Sequence, residues 1–193
     1  MSPLPKPLEK DYTPEEYFDL LTSSEGKKYE YERGKVYFMA GGTGNHSCIK
    51  TDTMTYLGMN SRGSGCEPYD SDMAVYVPYH DSFVLPDLSF VCGEPHYEDE
   101  AQRRLLNPSL LVEVMSETSE LYDRSKKFAK YRSLHSFREY VLIDSQQYLV
   151  ECFYIQDDKL WKISSCYDRE GSVHIHTLGI DLPLSVIYRR VKF

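Results

Sequence analysis

Every position from Leu110 to Met115 is apolar except one, Glu113, which falls in the middle of the run. Upstream, Phe83 to Val91 repeats the pattern with a single acid, Asp87. Short apolar runs of this kind predict strands covered on both faces. A carboxylate inside such a strand loses its water unless a cation or hydrogen bonds compensate. The plainer alternative is that each acid marks the solvent face of an amphipathic strand.

The remaining pattern supplies the other elements. Thr13, Pro14 and Glu16 form a helix start, with Thr13 at the N-cap, Pro14 at the first helical position and Glu16 completing a capping box. Tyr29 and Tyr31 alternate with Glu30 and Glu32 before an Arg-Gly turn into Val36–Met39, which predicts a hairpin. Gly41 to Ser47 reads as a loop, and Asn45 as the cap of a second helix from His46 to about Asn60. No Gly-Lys-Ser/Thr follows those glycines, so a phosphate-binding P-loop is not expected. Strands are predicted near 72–77, 83–91, 110–115, 138–144, 147–155 and 159–167, the last two joined by a Gln-Asp-Asp-Lys turn, with another in "GSVHIHTLG". A polar, acidic loop covers 94–104. The order α-β-β-α-β-β-β-α-β-β-β-β predicts an α/β domain bordering on α+β: a mixed sheet with few helices around it.

Length and composition fit one soluble domain. The chain has 193 residues, 41% hydrophobic and 27% charged. A flexible N-terminal segment is expected over 1–11 and a single domain over 12–193. The Pro-rich start lacks the apolar core of a signal or transit peptide, and no apolar run reaches membrane-spanning length, so a cytoplasmic protein without membrane contact is expected. Five cysteines with no CxxC pair predict neither a cysteine zinc site nor a disulfide framework, but buried free thiols. The net charge of -8 argues against broad nucleic-acid binding. Yet Arg124, Lys126, Lys127, Lys130, Arg132 and Arg138 form a basic stripe with no acid among them. The stripe is either a solvated helix face or a set of phosphate contacts, of which Arg124, Lys126 and Lys130 are the candidates.

On a helical wheel with Phe128 at zero and about 100° per residue, Leu121, Phe128 and Tyr131 share one side, with Leu134 at its edge. Lys126 and Lys130 point nearly opposite, towards solvent. Lys127 falls on the flank. There it either pairs with Asp123 one turn earlier on the surface, or snorkels to the point that Glu113 addresses. In the second case two strands supply one acid each and the helix supplies an ammonium. Two converging carboxylates suit a hard divalent ion. An adjacent ammonium can stabilise a developing anion or orient and deprotonate a water. Together they suit phosphodiester hydrolysis.

The stretches "LPDLSFV", "LLVEVMSETSELYDRSKKFAKY", "REYVLID" and "KYEYERGKVYFMAGGTGNHS" resemble the Uma family of endonucleases, a branch of the PD-(D/E)xK, restriction-endonuclease-like superfamily. The resemblance runs from about Tyr12 to Ile187. It implies a restriction-endonuclease-like mixed central sheet flanked by helices, with extra antiparallel strands, and a metal-dependent endonuclease acting on DNA. It implies Mg²⁺, with Mn²⁺ as a substitute, held by Asp87 and Glu113. The superfamily lysine two residues after the second acid is Met115 here, and Lys127 matches the position to which the family moves it. Glu30 matches an upstream family acid, a catalytic residue that would complete the metal site, although its local pattern also fits a solvent-facing strand residue. His46 matches a family histidine near the site, an accessory role. Duplex cleavage favours a homodimer or higher homo-oligomer. The second reading is a nuclease fold used as a nucleic-acid or protein interaction module with weak or no catalysis. The absence of a G-x-S-x-G elbow, and a single Trp, speak against a Ser-His hydrolase or a glycosidase.

Overall fold

The computed structural model describes residues 6–39 and 41–193. Helix α1 (Pro14–Ser23) starts as its sequence dictates, with the reciprocal Thr13–Glu16 capping box in place. Strands β1 (Lys28–Glu32) and β2 (Lys35–Met39) form the expected hairpin. Helix α2 spans Gly44–Asn60, but its cap is the Thr43 side chain, which accepts from His46 N; Asn45 lies inside the first turn. Of the segment expected to be flexible over 1–11, residues 1–5 lie outside the described residues. Pro7 bridges to Tyr37, and Leu8 N–H donates to Val36 O, so the end of that segment lies along β2.

The strands sort into two main sheets. The smaller has order β2-β1-β5-β4-β7, with β4 at Ala74–Val77, β5 at Ser82–Val84 and β7 at Arg104–Leu105. The larger has order β11-β10-β9-β8-β6-β3, formed by β3 (Cys66–Asp70), β6 (Leu88–Cys92), β8 (Leu110–Met115), β9 (Glu139–Asp144), β10 (Val150–Ile155) and β11 (Trp161–Cys166). Its strands pair antiparallel except β8 and β9, which run parallel. A hairpin of β12 (Ser172–Ile175) and β13 (Ile180–Pro183) and a last turn, α4 (Leu184–Ile187), complete the chain. This is the mixed sheet flanked by helices that was expected.

Two expectations are corrected here. The predicted strand 83–91 is two strands in two different sheets. Leu85, Pro86 and Asp87 form the joint between them, because Pro86 has no N–H for a ladder. Asp87 therefore stands at the entry to β6, not inside a strand. Second, Cys66 and Cys92 face each other across β3 and β6 and form a disulfide, while Cys48, Cys152 and Cys166 are free. The pairing comes from the register of β3, an element with no apolar pattern to announce it.

Both faces of the large sheet are covered, which is why β8 reads as a continuous apolar run. Leu110, Val112 and Val114 pack with Ile49 and Leu57 of α2 and with Leu182 and Ile187. Leu111 and Met115 face the other way, onto Val75, Val84, Tyr131 and Tyr140. Glu113 shares that second face by strand alternation. A third core joins Tyr17 and Phe18 of α1 to Tyr29, Tyr31 and Phe83. Tyr29 and Tyr31 therefore point to α1, and Glu30 and Glu32 point to the opposite side of β1. Among the described residues no helix is long and apolar enough to cross a membrane.

Candidate functional site

The basic segment is a helix, α3 (120–131), but not a regular one. It is α-helical over Glu120–Tyr122 and Phe128–Tyr131, with a π-helical turn over Asp123–Lys127 between them. A π turn widens the repeat beyond 3.6 residues and shifts the phase of everything after it. The wheel therefore holds for Lys127, which is only 2% exposed, and for Lys126, which is exposed. It fails for Lys130, 4% exposed, and for Leu121, 55% exposed. Lys130 is not a solvent-facing phosphate contact. Its Nζ lies 3.2 Å from Glu32 Oε2 and donates to Ser82 Oγ and Tyr122 OH. Arg124 spends its charge on Glu120 and Glu151.

Two ladders of charge thus cross between β1 and α3: Glu30 with Lys127 and Glu32 with Lys130. The i,i+2 spacing on a strand matches the i,i+3 spacing on a helix. Lys130→Ala is expected to destabilise the protein by about 2 kcal/mol, because it strips hydrogen bonds from the buried Ser82 hydroxyl and from Tyr122 and removes the partner of Glu32. Urea unfolding of Lys130→Ala beside Lys126→Ala checks this; equal, negligible losses would contradict it.

The Lys127 ammonium sits at the centre of the site. It donates to Glu113 Oε1 at 2.9 Å, and lies 3.2 Å from Glu30 Oε1 and 3.5 Å from Asp123 Oδ1. All four side chains are buried. The solvent-facing alternative for Glu30 and the surface-pair alternative for Lys127 and Asp123 are both corrected: the pair exists, but inside the protein. Burial alone would push the Lys127 ammonium down, yet Glu113, Glu30 and Asp123 together hold it well above the ordinary lysine range. Burial pushes the Glu113 carboxyl well up, against the pull of Lys127, and raises that of Asp123 too. Tyr131 OH donates to Glu113 Oε1 at 2.8 Å, and Tyr122 OH to Glu30 Oε2 at 2.8 Å.

Asp87 faces the same cleft from the sheet joint. Its Oδ2 accepts from Val114 N at 2.9 Å, which ties it to the residue beside Glu113, and lies 3.2 Å from His46 Nε2. Its Oδ1 is 3.8 Å from Lys50 Nζ. Burial would raise this carboxyl, but the hydrogen bond and charge of His46, the Val114 N–H and the charge of Lys127 hold it below the ordinary aspartate range. His46 in turn packs on Gly42, where an added Cβ would meet Nδ1 at 2.5 Å. The cavity, about 600 Å³, is lined by the acids Asp87, Glu113 and Asp123 and by Lys127, Lys28, His46 and Lys50. Glu30 lies behind Lys127, not on the cavity wall.

Sequence reading brought Asp87, Glu113, Lys127, Glu30 and His46 to one place, and the structure keeps them together. It missed Lys50, Tyr122 and Tyr131, and treated Asp123 only as a surface partner. The signals were there: Lys50 is one turn after His46, and Tyr131 one turn after Lys127. Among the described residues, no group of three or more His, Cys, Asp or Glu side chains already surrounds one point as a metal cage. The donor set still fits a hard ion such as Mg²⁺, which takes one or two carboxylates and keeps several waters. Among the described residues, Asp87 Oδ1 accepts no hydrogen bond, both donors to Glu113 go to Oε1, and Asp123 Oδ1 is buried with no hydrogen-bond partner.

A family model described as "Putative restriction endonuclease", Uma2, matches residues 14–186. The uncharacterized Synechocystis protein slr1290 is 30% identical over 192 residues, covering 100% of this chain and 96% of its own length. A second uncharacterized Synechocystis protein, sll1609, is 27% identical over 154 residues, 80% of this chain and 87% of its own. Among solved structures, a "putative nuclease belonging to DUF820" from Anabaena variabilis superposes with a TM-score of 0.73 at 15% identity, covering 92% of this chain and 98% of its own. That likeness shows a shared fold.

Proposed function

The chain belongs to the Uma2 family, and from that premise we propose that it is a metal-dependent endonuclease that hydrolyses phosphodiester bonds of DNA. The observation that carries this reading is the meeting of Asp87, Glu113 and Lys127 at one cleft, from a sheet joint, a strand and a helix. Asp87 and Glu113 would hold Mg²⁺, or Mn²⁺ in its place. The ion, when bound, supplies charge at the phosphate and lowers the pKa of a bound water. The chain's own residues do the rest. His46 and the Val114 N–H fix Asp87 through Oδ2 and leave Oδ1 free to bind. Lys127 stays protonated among its carboxylates, so its part is to stabilise the anionic transition state, not to take a proton from water. Tyr131 orients Glu113. Lys50, on the cleft wall, is a better phosphate contact than the buried Lys130; Lys126 remains one on the outer face.

The test is incubation of the purified protein with duplex DNA, single-stranded DNA and RNA, in Mg²⁺, Mn²⁺ or EDTA. Internal cleavage of DNA is expected with either ion and not in EDTA, and not in Glu113→Gln. Metal binding without cleavage of any strand would favour the second reading, an interaction module on a nuclease fold. Met115, where the superfamily lysine would stand, is the observation that keeps that reading in the test.

The same reading makes the protein a homodimer, since two symmetry-related sites cut both strands of a duplex. Strand β11 is the outer strand of the large sheet, with Ile163 on it and Leu160 just before it exposed, and offers an edge for a second copy. Sedimentation at micromolar concentration should give twice the 22.5 kDa chain mass; a mass near one chain overturns the assembly.

A further inference from the structure

Three carboxylates share one buried ammonium, and the three do not share it equally. Glu30 is fully engaged: Oε1 accepts from Leu85 N at 3.3 Å and lies 3.2 Å from Lys127 Nζ, while Oε2 accepts from Tyr122 OH. Glu113 has a second donor, Tyr131 OH, on the same oxygen that Lys127 uses. Asp123 differs from both. Its Oδ1 is buried, has no hydrogen-bond partner among the described residues, and lies 3.5 Å from the ammonium. A buried unpaired carboxylate oxygen is costly, so its retention calls for a reason. The side chain also lines the cleft and sits on the π turn, four residues before Lys127.

We propose that Asp123 is a positioning residue that takes the Lys127 ammonium from Glu113 when Glu113 engages a divalent cation. The proposal rests on the metal reading above. An ion at Asp87 and Glu113 competes with the ammonium for the same carboxylate and repels it. With Glu30 as its one remaining partner, Lys127 must either stay and oppose the ion or draw back from it. Asp123 Oδ1 gives it a third course: a shift of well under 1 Å turns the 3.5 Å approach into a charge-assisted hydrogen bond of about 2.8 Å. Glu30 holds the ammonium throughout, and Tyr131 stays with Glu113. The lysine thus remains beside the reacting phosphate with its charge intact.

Calorimetric Mn²⁺ binding to the full chain tests this in four proteins: unaltered, Asp123→Asn, Lys127→Met and the double variant. Asp123→Asn should weaken Mn²⁺ affinity about tenfold or more, the effect of one hydrogen bond to a charged group. The double variant should bind as Lys127→Met does, because no ammonium is left to compete. An equal loss from Asp123→Asn in both backgrounds would make Asp123 a direct ligand and overturn the hand-off. Unchanged affinity in Asp123→Asn with a lowered Tm would leave it a structural residue and overturn it as well. No Mn²⁺ binding by the unaltered protein would remove the metal reading itself, and the hand-off with it. A second measurement needs no change at Lys127. The nitrogen-15 resonance of its ammonium should move on Mg²⁺ addition in the unaltered protein and stay in place in Asp123→Asn; movement of equal size in both would refute the proposal.

Discussion

Lys127→Ala is expected to lower stability by about 3–5 kcal/mol at pH 8, the cost of breaking a buried charge cluster by removing one sign. It is also expected to lower cleavage about a hundredfold or more, the scale for losing a positioned electrostatic group. The ammonium is the only cation within 4 Å of Glu30 and Glu113 among the described residues. With it gone, Glu113 and Asp123, whose carboxyls burial already pushes up, must stay protonated or bear unpaired charge. A carboxyl with a raised folded pKa is most favourable to folding below its ordinary value, 4.5 for Glu113 and 3.8 for Asp123, and its contribution is lost as pH rises. The deficit of the variant should therefore shrink between pH 8 and pH 5. Urea melts at the two pH values measure it, and a deficit independent of pH would refute the account. Lys126→Ala is the control: exposed and outside the cluster, it should leave stability alone and only shallow the salt dependence of DNA binding.

The two acids proposed to hold the metal should respond in opposite directions when neutralised in the absence of metal, although on that proposal each substitution should cost about two orders of magnitude in turnover. Glu113→Gln removes a charge that burial opposes, keeps an acceptor for Tyr131, and leaves Lys127 with Glu30 and Asp123. Its fold should be as stable as the unaltered protein or more so, with the advantage growing as pH rises above 4.5. Asp87→Asn removes a charge that the site favours. The Asp87 carboxyl is held below 3.8, so it contributes stability above that pH and loses it as pH falls; the variant should lose about 1–2 kcal/mol at pH 8. Like-charge repulsion between two acids would predict relief from both substitutions. His46 and Val114 reverse that expectation for Asp87. Thermal melts of both variants in EDTA decide it, and shifts of the same sign would contradict the electrostatics described.

What was legible in the chain follows local physics. The capping box of α1, the Tyr/Glu alternation of β1 and the apolar run of β8 each state their structure in adjacent residues. The meeting of Asp87, Glu113 and Lys127 was readable in part from one acid in each apolar run and the flank position of Lys127, and more strongly from the family resemblance. Other features depend on distant partners. Strand β3 reads Cys-Glu-Pro-Tyr-Asp and is held by its register with β6 and by the Cys66–Cys92 bond, so no propensity announces it. The break at Pro86 is hidden because apolar residues continue on both sides, though they belong to different sheets. The inward turn of Lys130 is set by one π turn, which a fixed angle per residue does not represent. Asp123 looked like the outer half of an ordinary i,i+4 pair because its surroundings are distant in sequence: Glu113 lies across the shared ammonium, and Tyr140 OH donates to its carbonyl.

The joint at Leu85–Asp87 has a consequence for how the protein can be switched off. Glu30 belongs to the small sheet, Glu113 to the large one, and Asp87 to the three-residue bridge between them. The geometry of the proposed site is therefore a property of the docked pair, not of either sheet. Subglobal opening is expected along such boundaries, at a free energy below that of complete unfolding. As the small sheet lifts, Glu30 leaves Lys127 and the strap carrying Asp87 slackens, while the large sheet and its disulfide persist. Mild denaturant or heat should therefore produce a folded, reversible and catalytically silent form before any global transition, giving the protein a threshold of inactivation lower than its threshold of melting.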